Sequence, residues 1–60
     1  MELNKYNWKL VSVSQDHNHA NFAKLEGSKV LVETMHKYGK PNQRKMSLDK
    51  FNTLLANNEI

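Results

Sequence analysis

The sequence predicts an α+β fold: a small antiparallel sheet of three to four strands (β-β-β-(β)-α) packed against one C-terminal α-helix. Three observations predict it. Runs rich in β-branched and aromatic residues fill the chain as far as Tyr38, bounded by polar turns. Gly27-Ser28 separates two of these runs, and a two-residue loop opening with Gly is a strong hairpin signal. Beyond Ser47 the apolar period lengthens, with Leu48, Phe51, Leu54 and Leu55 recurring at helical spacing.

Taken in order, Tyr6–Ser14 (YNWKLVSVS) reads as a first strand with no Gly or Pro. Gln15-Asp16-His17-Asn18 is a polar turn in which Asp16 and Asn18 can bond their own backbone. His19–Glu26 is a second strand. Gly27-Ser28 suits a type II′ turn, and Lys29–Tyr38 is a third strand. Pro41-Asn42 fits the centre of a type I turn, after which Gln43–Met46 returns as a short fourth strand. Ser47 is a good N-cap, Asp49 lies where the helix dipole favours a carboxylate, and the apolar stripe runs to about Asn57.

The two turns set a register. Across Gly27-Ser28, Glu26 faces Lys29, Leu25 faces Val30 and Ala23 faces Val32. A four-residue loop at Gln15–Asn18 places Leu10 against Ala23 and Trp8 against Leu25. Opposed residues share a sheet face. One face then carries Trp8, Leu10, Ala23, Leu25, Val30 and Val32, a core for the helix with Trp8 as its anchor. The other carries Val11, Val13, Phe22, Leu31 and Met35, too apolar for water. Three arrangements would shield it: an SH3-like curl of the sheet, a homodimer packed sheet to sheet, or another protein docked there. A one-residue slip would exchange the two faces.

Sixty residues make a single domain, 1–60. A chain of this size buries only about 60% of its unfolded surface, so its stability is marginal. It has no cysteine, hence neither disulfide nor thiolate chemistry. No apolar run approaches the ~18 residues that span a bilayer. The start, MELNKYNWKL, lacks the apolar stretch of a secretory signal, so the expectation is a cytoplasmic protein that does not engage membranes. With only Gly27 and Gly39, there is no phosphate-binding glycine loop, and no nucleophile-elbow context surrounds the serines. The expectation is a non-enzymatic protein without cofactors.

The charge is unevenly placed. The chain carries a net +3, yet Thr34–Leu48 holds four of the nine Lys/Arg and no acid. Within it, Lys37, Tyr38, Lys40, Asn42, Arg44 and Lys45 combine what nucleic acid needs. The cations meet phosphates, the amide donates or accepts hydrogen bonds, and Tyr38 offers a ring to an unpaired base. Lys9, Lys24 and Lys29 would extend that surface. The structural alternative is a solvated loop whose charges protect an edge strand. The rival functional reading is a protein interface through Val11, Val13, Phe22, Leu31 and Met35. The register also sets His19 against His36 with His17 nearby, but the spacing matches no standard metal motif and no metal is expected.

The order of elements resembles two groups, by architecture alone. One is the arm-binding domain of phage and transposon integrases, a three-stranded sheet backed by a helix that reads DNA with its sheet. The other is the small SH3-like chromatin proteins of archaea. Eight Lys and eight Asn give the chain the look of a phage or mobile-element product. Such products include DNA-binding factors and inhibitors of host proteins such as defence nucleases. The implied partner is therefore nucleic acid or a host protein.

Overall fold

The computed structural model describes residues 2–60. Its elements are β1 (Lys9–Val13), β2 (His19–Glu26), β3 (Lys29–His36), β4 (Asn42–Ser47) and α1 (Leu48–Ala56). The strands form one antiparallel sheet in the order β1-β2-β3-β4. This is the expected α+β architecture. β1 and β4 are its edges, and among the described residues no pairing between them closes an SH3-like barrel.

The β2–β3 hairpin follows the turn chemistry. Gly27 has φ 62° while Ser28 stays out of the left-handed region, which is the type II′ pattern. The turn fixes Glu26 opposite Lys29, Leu25 opposite Val30, Ala23 opposite Val32 and His19 opposite His36. β3 ends at His36, two residues short of the expected Tyr38, where Lys37 N–H donates to Asn18 O at 2.9 Å. That bond spends the next backbone donor on the β1–β2 turn. β4 begins at Asn42, paired with Thr34, so the connection is the loop 37–41 and not a tight turn centred on Pro41-Asn42. Pro41 has no N–H to give a ladder and stands just outside the strand.

β1 departs most from expectation. It starts at Lys9, because Asn4 Oδ1 accepts from Tyr6 N (2.9 Å) and Asn7 N (2.8 Å) and draws the preceding residues into a turn. Leu10 faces Phe22, not Ala23, and Lys9 takes the place opposite Ala23. The register then shifts between Leu10 and Ser12, leaving Val11 as the extra residue of a β-bulge. The result exchanges two side chains. Val11 packs against the core, and Leu10 is 51% exposed on the other face. Trp8 follows Leu10 outward and is not a core anchor: it packs beside Lys24, Phe22 and Met35.

The core is Ala23, Val30, Val32 and Met46 from the sheet with Phe51 from the helix, all buried. Leu3, Val11, Leu25, Leu54, Leu55 and Ile60 pack around it. Ser47 Oγ accepts from Lys50 N at 3.1 Å as the N-cap, and Asp49 occupies the first turn. Leu48, expected in the apolar stripe, is 46% exposed at the helix start. The helix closes with Asn58 at φ 57°, while Asn58 N–H bonds Leu55 O and Glu59 N–H bonds Leu54 O. This is a Schellman motif in which Asn replaces the usual Gly. It turns the chain back so that Ile60 reaches the core.

Nine helical residues span about 13 Å, whereas the eight residues of β2 or β3 span about 26 Å. The helix can therefore cover only half of its face. Where it ends, the face turns polar. Thr34 Oγ1 donates to Asn21 Oδ1 (2.6 Å), and Asn21 Nδ2 donates to Ser12 Oγ (3.0 Å). His19 and His36 follow in the next paired row on that side.

Candidate nucleic-acid interface

Strand parity defines the opposite, open face. Val30 and Val32 are fully buried, so Leu31 between them points away from the helix, and with it Lys24 and Lys45 across the ladder. The adjoining row is Leu10, Phe22, Glu33 and Gln43. Val13, Ala20 and Met35 form the row at the loop end, and Glu26 with Lys29 the row at the hairpin end. Among the described residues no second helix covers this side. Val13 is 47% and Met35 40% exposed.

Two features stand out on it. First, Trp8, Phe22, Glu33 and Met35 line a shallow hollow of about 250 Å3 whose surface is almost wholly apolar. Gln43 Nε2 donates to Glu33 Oε1 at 2.9 Å, which orients that carboxylate. Second, Lys24 Nζ lies 4.8 Å from the Trp8 ring centroid, a cation–π contact that holds an ammonium beside the hollow. Lys45 Nζ meets Glu26 Oε1 at 3.0 Å with both side chains half exposed, a pair of small energetic weight.

The charge partition is clear once the faces are known. The open face carries Lys24, Lys29 and Lys45 against Glu26 and Glu33, and the loop continuing from its end adds Lys37 and Lys40. That is five cations against two acids. The rest of the molecule holds four cations and four acids, so the whole net charge of +3 lies on the open face and its loop.

The six residues expected to contact nucleic acid do not share one surface. Lys37, Tyr38 and Lys40 are exposed in the loop, with Tyr38 84% exposed and Lys37 Nζ 5.4 Å from its ring. Lys45 is on the open face. Arg44 and Asn42, opposite Val32 and Thr34, lie on the helix side of the edge strand. Of the five residues expected at a protein interface, Val13, Phe22, Leu31 and Met35 do share the open face, and Val11 does not. Leu10 and Trp8 take its place there. Both were hidden from sequence reasoning by the bulge, which leaves no mark in the alternation of β1.

At the loop end, His19 Nδ1 and His36 Nδ1 lie 2.6 Å apart, with ring centroids 4.7 Å apart at 83°. One ring must donate and the other accept. His17 sits in the turn with φ 60°. Among the described residues, no group of three His, Cys, Asp or Glu could hold a metal ion. Asp16 organises the turn: it accepts from Ser14 Oγ and from Asn18 N at 3.0 Å. Those bonds, Ser14 first, hold its carboxyl below the ordinary value of 3.8.

Compared with protein families, curated proteins and solved structures, the chain shows no significant match. No helix among the described residues is long and apolar enough to cross a membrane. The class that fold and surface define is thus a four-stranded meander backed by one helix, with an open face of apolar, aromatic and basic residues.

Proposed function

We propose that this is a non-enzymatic cytoplasmic protein that binds nucleic acid across its open sheet face and the adjoining loop. One observation supports the reading: the Trp8 and Phe22 rings share the open face with Lys24, Lys29 and Lys45, and the loop that follows β3 adds Lys37 and Lys40. Stacking rings interleaved with lysines suit a phosphate chain that carries bases. Lys24, Lys29, Lys37 and Lys40 contact phosphates, and the apolar row between them meets the bases. Affinity measured by anisotropy of a labelled oligonucleotide should fall steeply from 50 to 200 mM salt, by about 0.7 log units per log unit of salt for each phosphate neutralised on a single strand. Reversing Lys24 and Lys29 to Glu should abolish it, while Arg44→Glu on the other face should cost far less. Absence of binding at 50 mM salt, or binding indifferent to salt, would sink the proposal.

A second reading has its own support. Leu10, Val13 and Met35 are 40–51% exposed on that face, the composition of a protein interface. A homodimer, or an inhibitor docked on a host protein, would use them. Sedimentation mass decides the dimer, and a dimer that persists at high salt and excludes oligonucleotide would favour this reading over the first.

A further inference from the structure

We propose that His19 and His36 form a two-imidazole chelate for one divalent ion of the Cu(II), Ni(II) and Zn(II) class, which clamps the loop end of the β2–β3 ladder. The site is independent of the nucleic-acid reading and uses none of its residues.

The ladder itself makes the pair. Lys37 N–H donates to Asn18 O at 2.9 Å, so the row of Asn18 and Lys37 is a hydrogen-bonded one. The next row, His19 opposite His36, is therefore non-hydrogen-bonded, the kind in which opposed side chains approach most closely. Their Nδ1 atoms lie 2.6 Å apart. A metal–imidazole bond is about 2.0–2.1 Å long, so two nitrogens held side by side on one ion stand about 2.9–3.4 Å apart. The rings need to part by less than about 1 Å, which side-chain rotation supplies without moving the strands. There is room for an ion. The pair borders a hollow of about 290 Å3 with Tyr38 and Gly39, and a second of about 210 Å3 with His17.

Coordination needs two lone pairs aimed at one point. In the hydrogen-bonded pair one Nδ1 carries the hydrogen. On binding, that Nδ1 gives up its hydrogen and the same ring takes one at Nε2 through water. A neutral pair thus becomes two Nε2–H tautomers with no net loss of a proton. Imidazole nitrogens select copper, nickel and zinc over magnesium or calcium. The Asp16 carboxylate is already engaged, by Ser14 Oγ and by the backbone and side-chain nitrogens of Asn18. Two protein ligands leave the other positions to water, which agrees with the lack of a three-residue donor group among the described residues.

The clamp falls where the core ends. The helix covers half of its face, the row of Asn21 and Thr34 is polar, and the histidines lie beyond it. A bound ion would hold an end of the sheet that the core cluster does not reach, as small domains with limited cores use metals.

The test uses the whole chain and the metal alone. In proton–nitrogen NMR, Zn(II) should shift the Nδ1 signals of His19 and His36 together, at one ion per chain, and leave both Nε2 hydrogens in place. Cu(II) should bind tightest of the three ions. At a hundred times the dissociation constant, urea midpoints should show the folding equilibrium shifted about 100-fold. His19→Gln and His36→Gln should each weaken binding about 100-fold, because a lone imidazole loses the chelate. His17→Gln should leave affinity unchanged, and circular dichroism should show all three variants folded. If about 1 mM Zn(II) leaves the wild-type Nδ1 signals unmoved, the pair is a hydrogen bond and nothing more, and the proposal falls. It falls also if His17→Gln costs as much as His19→Gln, or if the variant lacking both strand histidines binds like wild type. None of these outcomes bears on oligonucleotide binding.

Discussion

The two faces of the sheet are both apolar, yet only one is a core. The helix side is built from small and β-branched residues, Ala23, Val30 and Val32, all at 0% exposure beneath Phe51. The open side carries larger groups, Trp8, Leu10, Phe22, Leu31 and Met35, half covered by one another and by lysine stems. The difference teaches that burial here follows from what the chain can lay over a face, not from hydrophobicity. A single short helix needs close approach, and small residues allow it. Large residues fit a side with room above it.

The comparison can be broken most forcefully with matched phenylalanines. Phe51→Ala should cost about 3–5 kcal/mol, enough to unfold a domain of this size, whereas Phe22→Ala should cost about 1 kcal/mol or less. Urea midpoints measure both, and equal losses would show that the open face is also a core. A finer test uses the bulge. Val11→Asp places a charge against the core and should cost about 2–4 kcal/mol, while its neighbour Leu10→Asp should be nearly neutral. The straight-strand register predicts the opposite order. The smallest effect concerns the end of the sheet where β1 turns into β2. The Asp16 carboxyl titrates below 3.8 in the folded state, so its contribution is complete above that value. It is lost as pH falls through 3.8 towards the folded value. Wild type should therefore begin to lose its stability advantage over Asp16→Asn only as pH falls below 3.8, read from urea midpoints at each pH. An advantage that is unchanged at pH 3 would contradict the hydrogen bonds of that turn.

Much of this was legible in the sequence. Gly27-Ser28 determines the β2–β3 ladder because a type II′ turn admits one register, and His19 against His36 follows seven pairs away. Ser47 and the spacing of Phe51, Leu54 and Leu55 locate the helix and its buried stripe. The errors share a cause: each depends on a backbone conformation that leaves no residue-type signature. A bulge needs no glycine, so Val11 gives no warning, and the fate of Trp8 and Leu10 hangs on it. The Schellman close uses Asn58, one of several asparagines in the tail, and so Ile60 could not be assigned to the core. Leu3 covers the core because Asn4 O accepts from Leu25 N at 2.8 Å, a contact between distant segments. For the candidate site, sequence located the lysines and the outward Phe22 but not the strand parity that sends Arg44 and Lys45 to opposite sides.

The bulge at Val11 also has a genetic consequence. A one-codon deletion of Val11 would remove the spare residue and leave Leu10 opposite Phe22 and Lys9 opposite Ala23 in a regular ladder. Trp8 and Leu10 would keep their outward places, and the loss would fall on the core contact that Val11 makes. A single in-frame loss would thus spare the outer surface, both hairpin turns and the helix cap. The spare residue lets one edge strand serve two opposite surfaces, and makes the exposed ring of Trp8 an outcome of backbone conformation as much as of residue choice.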